Sequence, residues 1–447
     1  MLATLNPSPP GVLEPTAQGD STPMTADAAF KSDFLRTLRD RGYIHQITHP
    51  DELDEAASKG VVTAYIGFDA TASSLHVGSL IQIMMLRRLQ QAGHKPIVLM
   101  GGGTTKVGDP TGKDESRKLL SEADIAANIA SIKTVFETFL TFGDGPTDAV
   151  MVDNDEWLSK FGYVEFLREF GVHFTINRML AFDSVKQRLE REQPMTFLEF
   201  NYMLMQSVDF LELSRTRNCL LQMGGSDQWG NIVNGVELIR RVDHKPAFGL
   251  TTPLLSTASG AKMGKTAQGA VWLNADMRSP YDYWQFWRNA EDADVGRFLR
   301  LFTDLPLDEV ARLEALEGAA INDAKKVLAD EATRMLHGAE AAKAARAKAE
   351  EAFELGNTAA AATSEDFVWA GETGDLTQRS AEALVKGAGL AGSVKEARNL
   401  IEQGTILIND VRVTNPKAHY NRTDGAGEGG LFKVQKGKNK IVWVRPI

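Results

Sequence analysis

Between residues 61 and 100 the chain runs strand, helix, strand with little in between, and that succession restricts the fold more than any other feature. Residues 61–69 are β-rich and end in a carboxylate, residues 80–89 form an apolar helical stretch closed by Gly93, and residues 96–100 are a second continuous apolar run. Two strands joined by one helix within about 40 residues pair in parallel through a right-handed crossover. The unit opens an α/β fold on a Rossmann-like doubly wound parallel sheet, in which ligands lie outside the carboxyl ends of the strands. Further strands are expected at 149–153 and 219–223, and helices at 30–42, 157–170, 197–211, 229–242 and 322–338.

The length of 447 residues is enough for roughly three domains. Residues 1–24 contain Pro7, Pro9, Pro10, Pro15 and Pro23 but neither Lys nor Arg, and read as a disordered leader, with Met24 a possible alternative start. The alanine-rich stretch that begins at Ala339 ends in an expected linker, residues 361–380. Beyond it, helices at 384–390 and 394–403 precede strands at 405–409 and 411–413 around an Asn409-Asp410 turn, and a closing strand at 440–444. Residues 391–447 have a net charge of +5 against -15 for the remainder. A basic αα-then-β module of this kind fits RNA contact, and a dimerisation or solubility appendage is the other reading. The lone Cys219 excludes an intrachain disulfide and a cysteine zinc cluster, and suits a reducing cytoplasm. No run of 18 apolar residues is present to span a membrane.

Several motifs fall where such a fold places its ligands. Gly67 lies near the end of the first strand, where the absence of a Cβ lets a ligand pass close to the backbone. His76-Val77-Gly78-Ser79 opens the following helix, whose unpaired N–H groups and dipole suit phosphate; a histidine there can also be a plain cap. The run from Gly101 to Pro110 follows the second strand without the order of a P-loop, so it reads as a flexible active-site loop with Asp109 as an ammonium partner. Tyr202, Gln206 and Asp209 recur at i, i+4 and i+7, three polar groups on one stripe of an apolar helix. That stripe is either a satisfied structural network or one wall of a polar small-molecule pocket. Gly224-Gly225-Ser226-Asp227-Gln228 joins a strand to a helix, with Asp227 placed for ribose hydroxyls or for a helix cap. Lys262-Met263-Gly264-Lys265-Thr266 follows Ser259-Gly260, and its two ammonium groups suit a pyrophosphate leaving group. His76 and Lys262, 186 positions apart, look like two halves of an ATP site that makes an acyl-adenylate.

On these motifs the chain resembles the bacterial tyrosyl-tRNA synthetases, class I aminoacyl-tRNA synthetases. The resemblance runs from about residue 30 to the C-terminus and rests on Tyr65-Ile66-Gly67-Phe68-Asp69, on His76 to Ser79, on residues 202–210 and 222–231, and on Lys262 to Thr266. It implies a catalytic domain at 25–250 binding ATP and tyrosine, a signature loop and helical domain at 251–360, and an S4-like RNA-binding domain at 381–447. It also implies a homodimer in the cytoplasm, tRNA(Tyr) as partner, and ATP with Mg2+ as substrate without a protein-bound structural metal. Tyr65 and Asp209 would hold the substrate phenol, and Asp109, Tyr202 and Gln206 its ammonium. Gln228 would meet the carboxyl region, Thr71 and His76 the triphosphate, and Gly225 and Asp227 the ribose. Gly67, Asp69, Gly78 and Ser79 would line the ATP site. Lys262, Lys265 and Thr266 would face pyrophosphate, with Lys113 and Arg117 in a contributing loop. Ser79 departs from the family's usual second histidine, and the wording around Lys106 departs from its commonest loop. The tryptophanyl-tRNA synthetases are the nearest alternative, and Tyr65 paired with Asp209 favours tyrosine.

Overall fold

A computed structural model of the chain describes residues 29–109, 120–260, 263–266, 269–354, 378–421, 424, 432–437 and 440–444. The leader at 1–24, Lys113, Arg117, Lys262 and linker residues 361–377 lie outside these, as do the side chains of Lys265 and Thr266. Contacts gather the chain into two compact units, 1–342 and 343–447.

The first unit is built on strands β1 (Gln46–Ile47), β2 (Thr63–Phe68), β3 (Lys95–Met100), β4 (Val150–Asp153), β5 (Cys219–Gly225) and β6 (Phe248–Thr252). They lie in the order β1-β6-β5-β2-β3-β4, all parallel except the short edge strand β1. From β2 the chain winds outward through β3 and β4, then returns to place β5 on the other side of β2. The carboxyl ends of β2 and β5 therefore flank the switch point, where a doubly wound sheet opens its crevice.

Helices α1 (Asp33–Arg41), α2 (Pro50–Lys59) and α3 (Val77–Gln91) precede β3. Ser32 caps α1 by accepting the Leu35 N–H, and Gly42 ends it at φ 83°, the left-handed turn expected from its glycine. Between β3 and β4 lie the short α4 (Gly102–Thr105) and α5 (Glu122–Phe139), the latter started by a Ser121/Asp124 capping box.

The helix expected at 157–170 is two pieces, α6 (Asp155–Leu158) and α7 (Tyr163–Glu169), parted by the Lys160-Phe161-Gly162 turn. After α8 (Ile176–Leu180) and α9 (Asp183–Glu190), the helix expected at 197–211 is also interrupted. A Thr196/Glu199 capping box starts α10 (Phe197–Phe200), and the Asn201 amide donates to the Phe197 carbonyl at 2.6 Å. That side chain competes with the helical ladder, so α11 (Tyr202–Arg217) begins afresh and runs six residues beyond the expected end. α12 (Trp229–Val242) has the bounds expected of it. The hairpin β7 (Lys265–Thr266) and β8 (Gly269–Ala270) leads to α13 (Pro280–Arg288), α14 (Val295–Phe302), α15 (Leu307–Glu314), α16 (Ile321–His337) and α17 (Ala339–Glu354).

The carboxyl end of α3 is tied to the turn after α14 by charge. Arg87 Nε donates to Asp304 at 3.0 Å and Arg88 Nη1 at 2.5 Å, while Arg88 also reaches the Thr303 carbonyl. Burial alone would raise the Asp304 pKa; the Arg87 bond and the Arg88 charge overcome this and hold it at about 2. Arg41 adds bonds to the carbonyls of Arg300, Thr303 and Leu305.

The second unit packs α18 (Ala381–Gly387) and α19 (Val394–Glu402) on a sheet of order β11-β10-β13-β14. Its strands include β10 (Ile406–Ile408), β11 (Val411–Arg412), β13 (Phe432–Lys436) and β14 (Lys440–Val444); β9 (Gln378–Ser380) pairs with β12 (His419–Asn421) separately. Asn409 and Asp410 take φ of 51° and 65°, the left-handed pair a two-residue hairpin requires. Leu384, Val385, Ile401, Ile406, Phe432 and Val434 form the core. Lys395, Arg412 and Lys417 are exposed.

Candidate active site

The switch point collects polar side chains from four elements around an apolar floor. Tyr65 of β2 is 1% exposed and stacks at a tilt on Phe210 with ring centroids 5.4 Å apart. Its partner across the sheet is Gln222 of β5, and parallel register partners project to one face. The Tyr65 hydroxyl, Gln222 Oε1 and Gln206 Oε1 are buried polar atoms with no protein partner. Such atoms on β2, β5 and α11 leave hydrogen-bonding capacity that a polar ligand can complete.

Asp209, 2% exposed, forms part of the same floor. Its Oδ2 accepts from Asn154 Nδ2 at 3.0 Å and its Oδ1 from Trp157 Nε1 at 2.8 Å. Asn154 cannot turn its amide over, because its Oδ1 already accepts the N–H groups of Gly103 at 2.8 Å and Thr104 at 3.3 Å. Burial pushes the Asp209 pKa up to about 7, against the lowering effect of the Asn154 and Trp157 bonds. Burial, followed by the Asp209 charge, likewise raises Tyr65. Asn154, Trp157 and Gln222 were not picked out from the sequence as site residues. The available signal was position: Asn154 directly follows the carboxyl end of β4.

The glycine run after β3 is not a loose loop. α4 is helical because Gly102 N donates to Asp153 Oδ1 at 2.9 Å, alongside the Asn154 bonds to Gly103 and Thr104. A Cβ on Gly102 would lie 2.2 Å from Asp153 Oδ1, so the glycine is there for close packing and its N–H is not turned toward phosphate. Lys106 points away into a pair with Asp155 at 3.0 Å and Glu122 at 3.0 Å.

Two pairs join residues expected at separate contacts. The Tyr202 hydroxyl donates to Asp69 Oδ1 at 3.3 Å, and Gln228 Nε2 donates to Asp109 Oδ2 at 2.9 Å across 119 residues of sequence. Asp69 directly follows β2, and Asp109 lies beyond α4. Thr71 and Asp227 are exposed on the rim, with Asp227 in a single turn, Ser226–Gln228, after β5. Gly225 packs against that turn, since a Cβ there would meet Asp227 Oδ1 at 2.4 Å.

The two signature segments touch. His76 is the N-cap of α3, its Nδ1 accepting the Gly78 N–H at 2.9 Å, so the neutral ring has its proton on Nε2 as a donor. The Ser79 N–H is used by the His76 carbonyl at 2.8 Å. A Cβ on Gly78 would sit 3.3 Å from the Met263 carbonyl, and one on Gly264 only 2.7 Å from Gly78 N. Gly264 itself has φ 84°, a conformation most side chains resist. The Val77 N–H donates to Val271 O and the Val271 N–H to Gly264 O, both at 2.9 Å. Met263 and Gly264 are thus laid directly on the amino end of α3.

A doubly wound parallel sheet, with a histidine-capped helix at its switch point and Met263 and Gly264 against that cap, fits the class I aminoacyl-tRNA synthetases. Residues 57–354 match the family described as tRNA synthetases class I (W and Y), and residues 383–424 match the S4 domain. The chain is 72% identical over 424 residues to a tyrosine–tRNA ligase of Caulobacter sp. (strain K31), covering 95% of this chain and 100% of the relative. It is 64% identical over 389 residues to that of Zymomonas mobilis, covering 87% and 93%. The structure resembles a C-terminally truncated mitochondrial tyrosyl-tRNA synthetase of Aspergillus nidulans with TM-score 0.65 and 31% identity, over 72% of this chain and 94% of that one. The chain belongs to the tyrosyl-tRNA synthetase family.

Proposed function

We propose that the chain activates L-tyrosine with ATP, giving tyrosyl-adenylate and pyrophosphate, and then transfers the tyrosyl group to the 3′-terminal adenosine of tRNA(Tyr). The observation that carries this reading is the buried Asp209 carboxylate, oriented by Asn154 and Trp157 beside the Tyr65 hydroxyl in an otherwise apolar floor. A phenol donates to the carboxylate and accepts from Tyr65; a side chain without that hydroxyl leaves both buried groups unmatched. Asp109, Tyr202 and Gln206 hold the ammonium and Gln228 the carboxyl region. ATP enters with Mg2+. Thr71 and His76 meet its triphosphate, Gly225 and Asp227 its ribose, while Gly67, Asp69, Gly78 and Ser79 line its path. Lys262, Lys265 and Thr266, with Lys113 and Arg117, stabilise the charge that grows on pyrophosphate. The tyrosine carboxylate attacks the α-phosphorus in line, so positioning and charge stabilisation carry the step.

In this reading residues 25–250 are the catalytic domain, 251–360 the signature loop and helical domain, 361–380 a linker and 381–447 the RNA-binding domain, and the enzyme works in the cytoplasm. Amino-acid-dependent ATP–pyrophosphate exchange across the twenty amino acids tests it: activity with tyrosine is expected, and activity only with tryptophan, or with none, overturns it.

A second copy of the chain is the partner proposed for the apolar face between α7 and α10. Tyr163, Val164, Val172, Ile176, Phe197 and Leu198 are each at least 49% exposed there, a concentration that a monomer rarely leaves in water. Sedimentation is expected to give a dimer, and Phe197→Asp a monomer; an unchanged mass for that variant would place the dimer contact elsewhere.

A further inference from the structure

The stretch before the lysine signature is pinned from one side by a single helical turn. Asp294 occupies the N-cap position of α14, where an aspartate ordinarily accepts from its own helix, yet its side chain makes no such cap. It is 2% exposed, its Oδ2 accepting the Ala258 N–H at 2.9 Å and its Oδ1 accepting from Arg297 Nη2 at 2.7 Å. Arg297 in turn donates to the Ser256 carbonyl. Glu291, one turn earlier, accepts from Ser259 Oγ at 2.6 Å. On the other side, the Met263 N–H donates to Leu255 O at 3.1 Å, and Met263 and Gly264 lie against His76 and Gly78.

The segment from Ser256 to Ser259 is therefore held to α14, and the segment that follows it to α3. Partly buried, charge-assisted bonds to one carboxylate fix a backbone N–H and, through Arg297, a carbonyl two residues away. Neither bond touches a ligand. Both fix where the chain turns toward the signature.

We infer that Asp294 is a positioning residue for adenylate formation: through Ala258 and Arg297 it sets the backbone of residues 256–259, from which the chain leads to Met263 and Gly264 at the amino end of α3. The inference rests on the proposed reaction. A group that only places transition-state contacts affects the chemical step, with substrate binding left as it was.

The test is tyrosine-dependent ATP–pyrophosphate exchange with the full chain carrying Asp294→Ala, Asp294→Asn or Glu314→Gln. Glu314 pairs with Arg300 at 2.7 Å alongside α14 and controls for helix stability alone. Asp294→Ala is expected to lower kcat about tenfold to a hundredfold, the scale of a misplacement near 1 Å, with KM for tyrosine unchanged. Asp294→Asn, which retains an acceptor for the Ala258 N–H, is expected to recover most of that loss, and Glu314→Gln to keep wild-type kcat. Cleavage within residues 256–266 by a limiting protease is expected to quicken in Asp294→Ala only. An unchanged kcat in Asp294→Ala overturns the inference, as does a fall in kcat matched by lost tyrosine affinity or by the Glu314→Gln variant. Absence of exchange in the wild-type chain would instead overturn the proposed function itself.

Discussion

The Asp209→Ala protein is expected to show no measurable tyrosine-dependent pyrophosphate exchange while remaining folded. The substitution removes the acceptor for the substrate phenol and also leaves Asn154 Nδ2 and Trp157 Nε1 without their shared partner. Each bond to a charged group is worth on the order of 1.5–3 kcal/mol, and a donor left buried costs a comparable amount. The lost bond to the phenol, together with the phenol's own donor left buried and unpaired, corresponds to at least roughly a hundredfold in kcat/KM. Retained exchange at wild-type rate would remove Asp209 from the phenol site.

The isosteric Asp209→Asn adds a pH signature to the same site. With its pKa at about 7 in the fold against an ordinary 3.8, the carboxyl is protonated in the folded protein but ionised in the unfolded chain between about pH 4 and pH 7, and is a carboxylate in both above that. Stability contributed at this site is therefore lost as pH rises from about 4 to about 7, by as much as roughly 4 kcal/mol. The asparagine variant does not titrate, so its stability relative to wild type is expected to improve by a few kcal/mol between pH 4 and pH 8. Urea unfolding at the two pH values measures this directly. Any fixed cost from an orphaned donor is common to both conditions and drops out of the difference.

Gly78→Ala is expected to separate activity from stability. In the interior of a helix alanine is favoured over glycine by up to about 1 kcal/mol, but here its methyl would stand 2.6 Å from His76 Cε1 and 3.3 Å from the Met263 carbonyl. The imidazole cannot swing clear without giving up the Gly78 N–H that it caps. Either the ring or the signature turn must move, and both face the nucleotide in the proposed reaction. A fall in kcat of about a hundredfold is expected, with tyrosine affinity and thermal midpoint close to wild type. Wild-type kcat in this variant would show that the contact between the two signature segments is incidental to the reaction.

How much of this was legible beforehand depended on whether the cause was local. β2, α3 and β3 followed from a change of apolar periodicity within 40 residues, and the Tyr202/Gln206/Asp209 stripe from helical spacing alone. The bounds of α12 and of β14 were likewise local matters of pattern. Asn154 and Trp157 reach Asp209 across 55 and 52 residues, and no local pattern encodes that meeting. The glycine run from Gly101 reads as a loop from composition. It becomes helical because two side chains at the end of β4 accept its N–H groups, and tertiary hydrogen bonding overrides propensity there. β1 has only two residues and β13 follows a glycine-rich stretch, so neither offers a full period to read. Gly78 and Gly264 belong to segments that read from the sequence as two halves of one ATP site; that the two glycines touch is a matter of packing.

α3 is roughly 22 Å long at 1.5 Å per residue, and one later stretch of chain holds both its ends. Met263 and Gly264 close on the amino end, Thr303 and Asp304 on the carboxyl end. This span acts as a buckle around a single helix, and the order of segments along the gene becomes part of the design. Opening the chain within the buckle, as a circular permutation could, would sever the grip on α3, whereas a break after residue 342 leaves it whole. Residues 343–447 supply none of these contacts to α3.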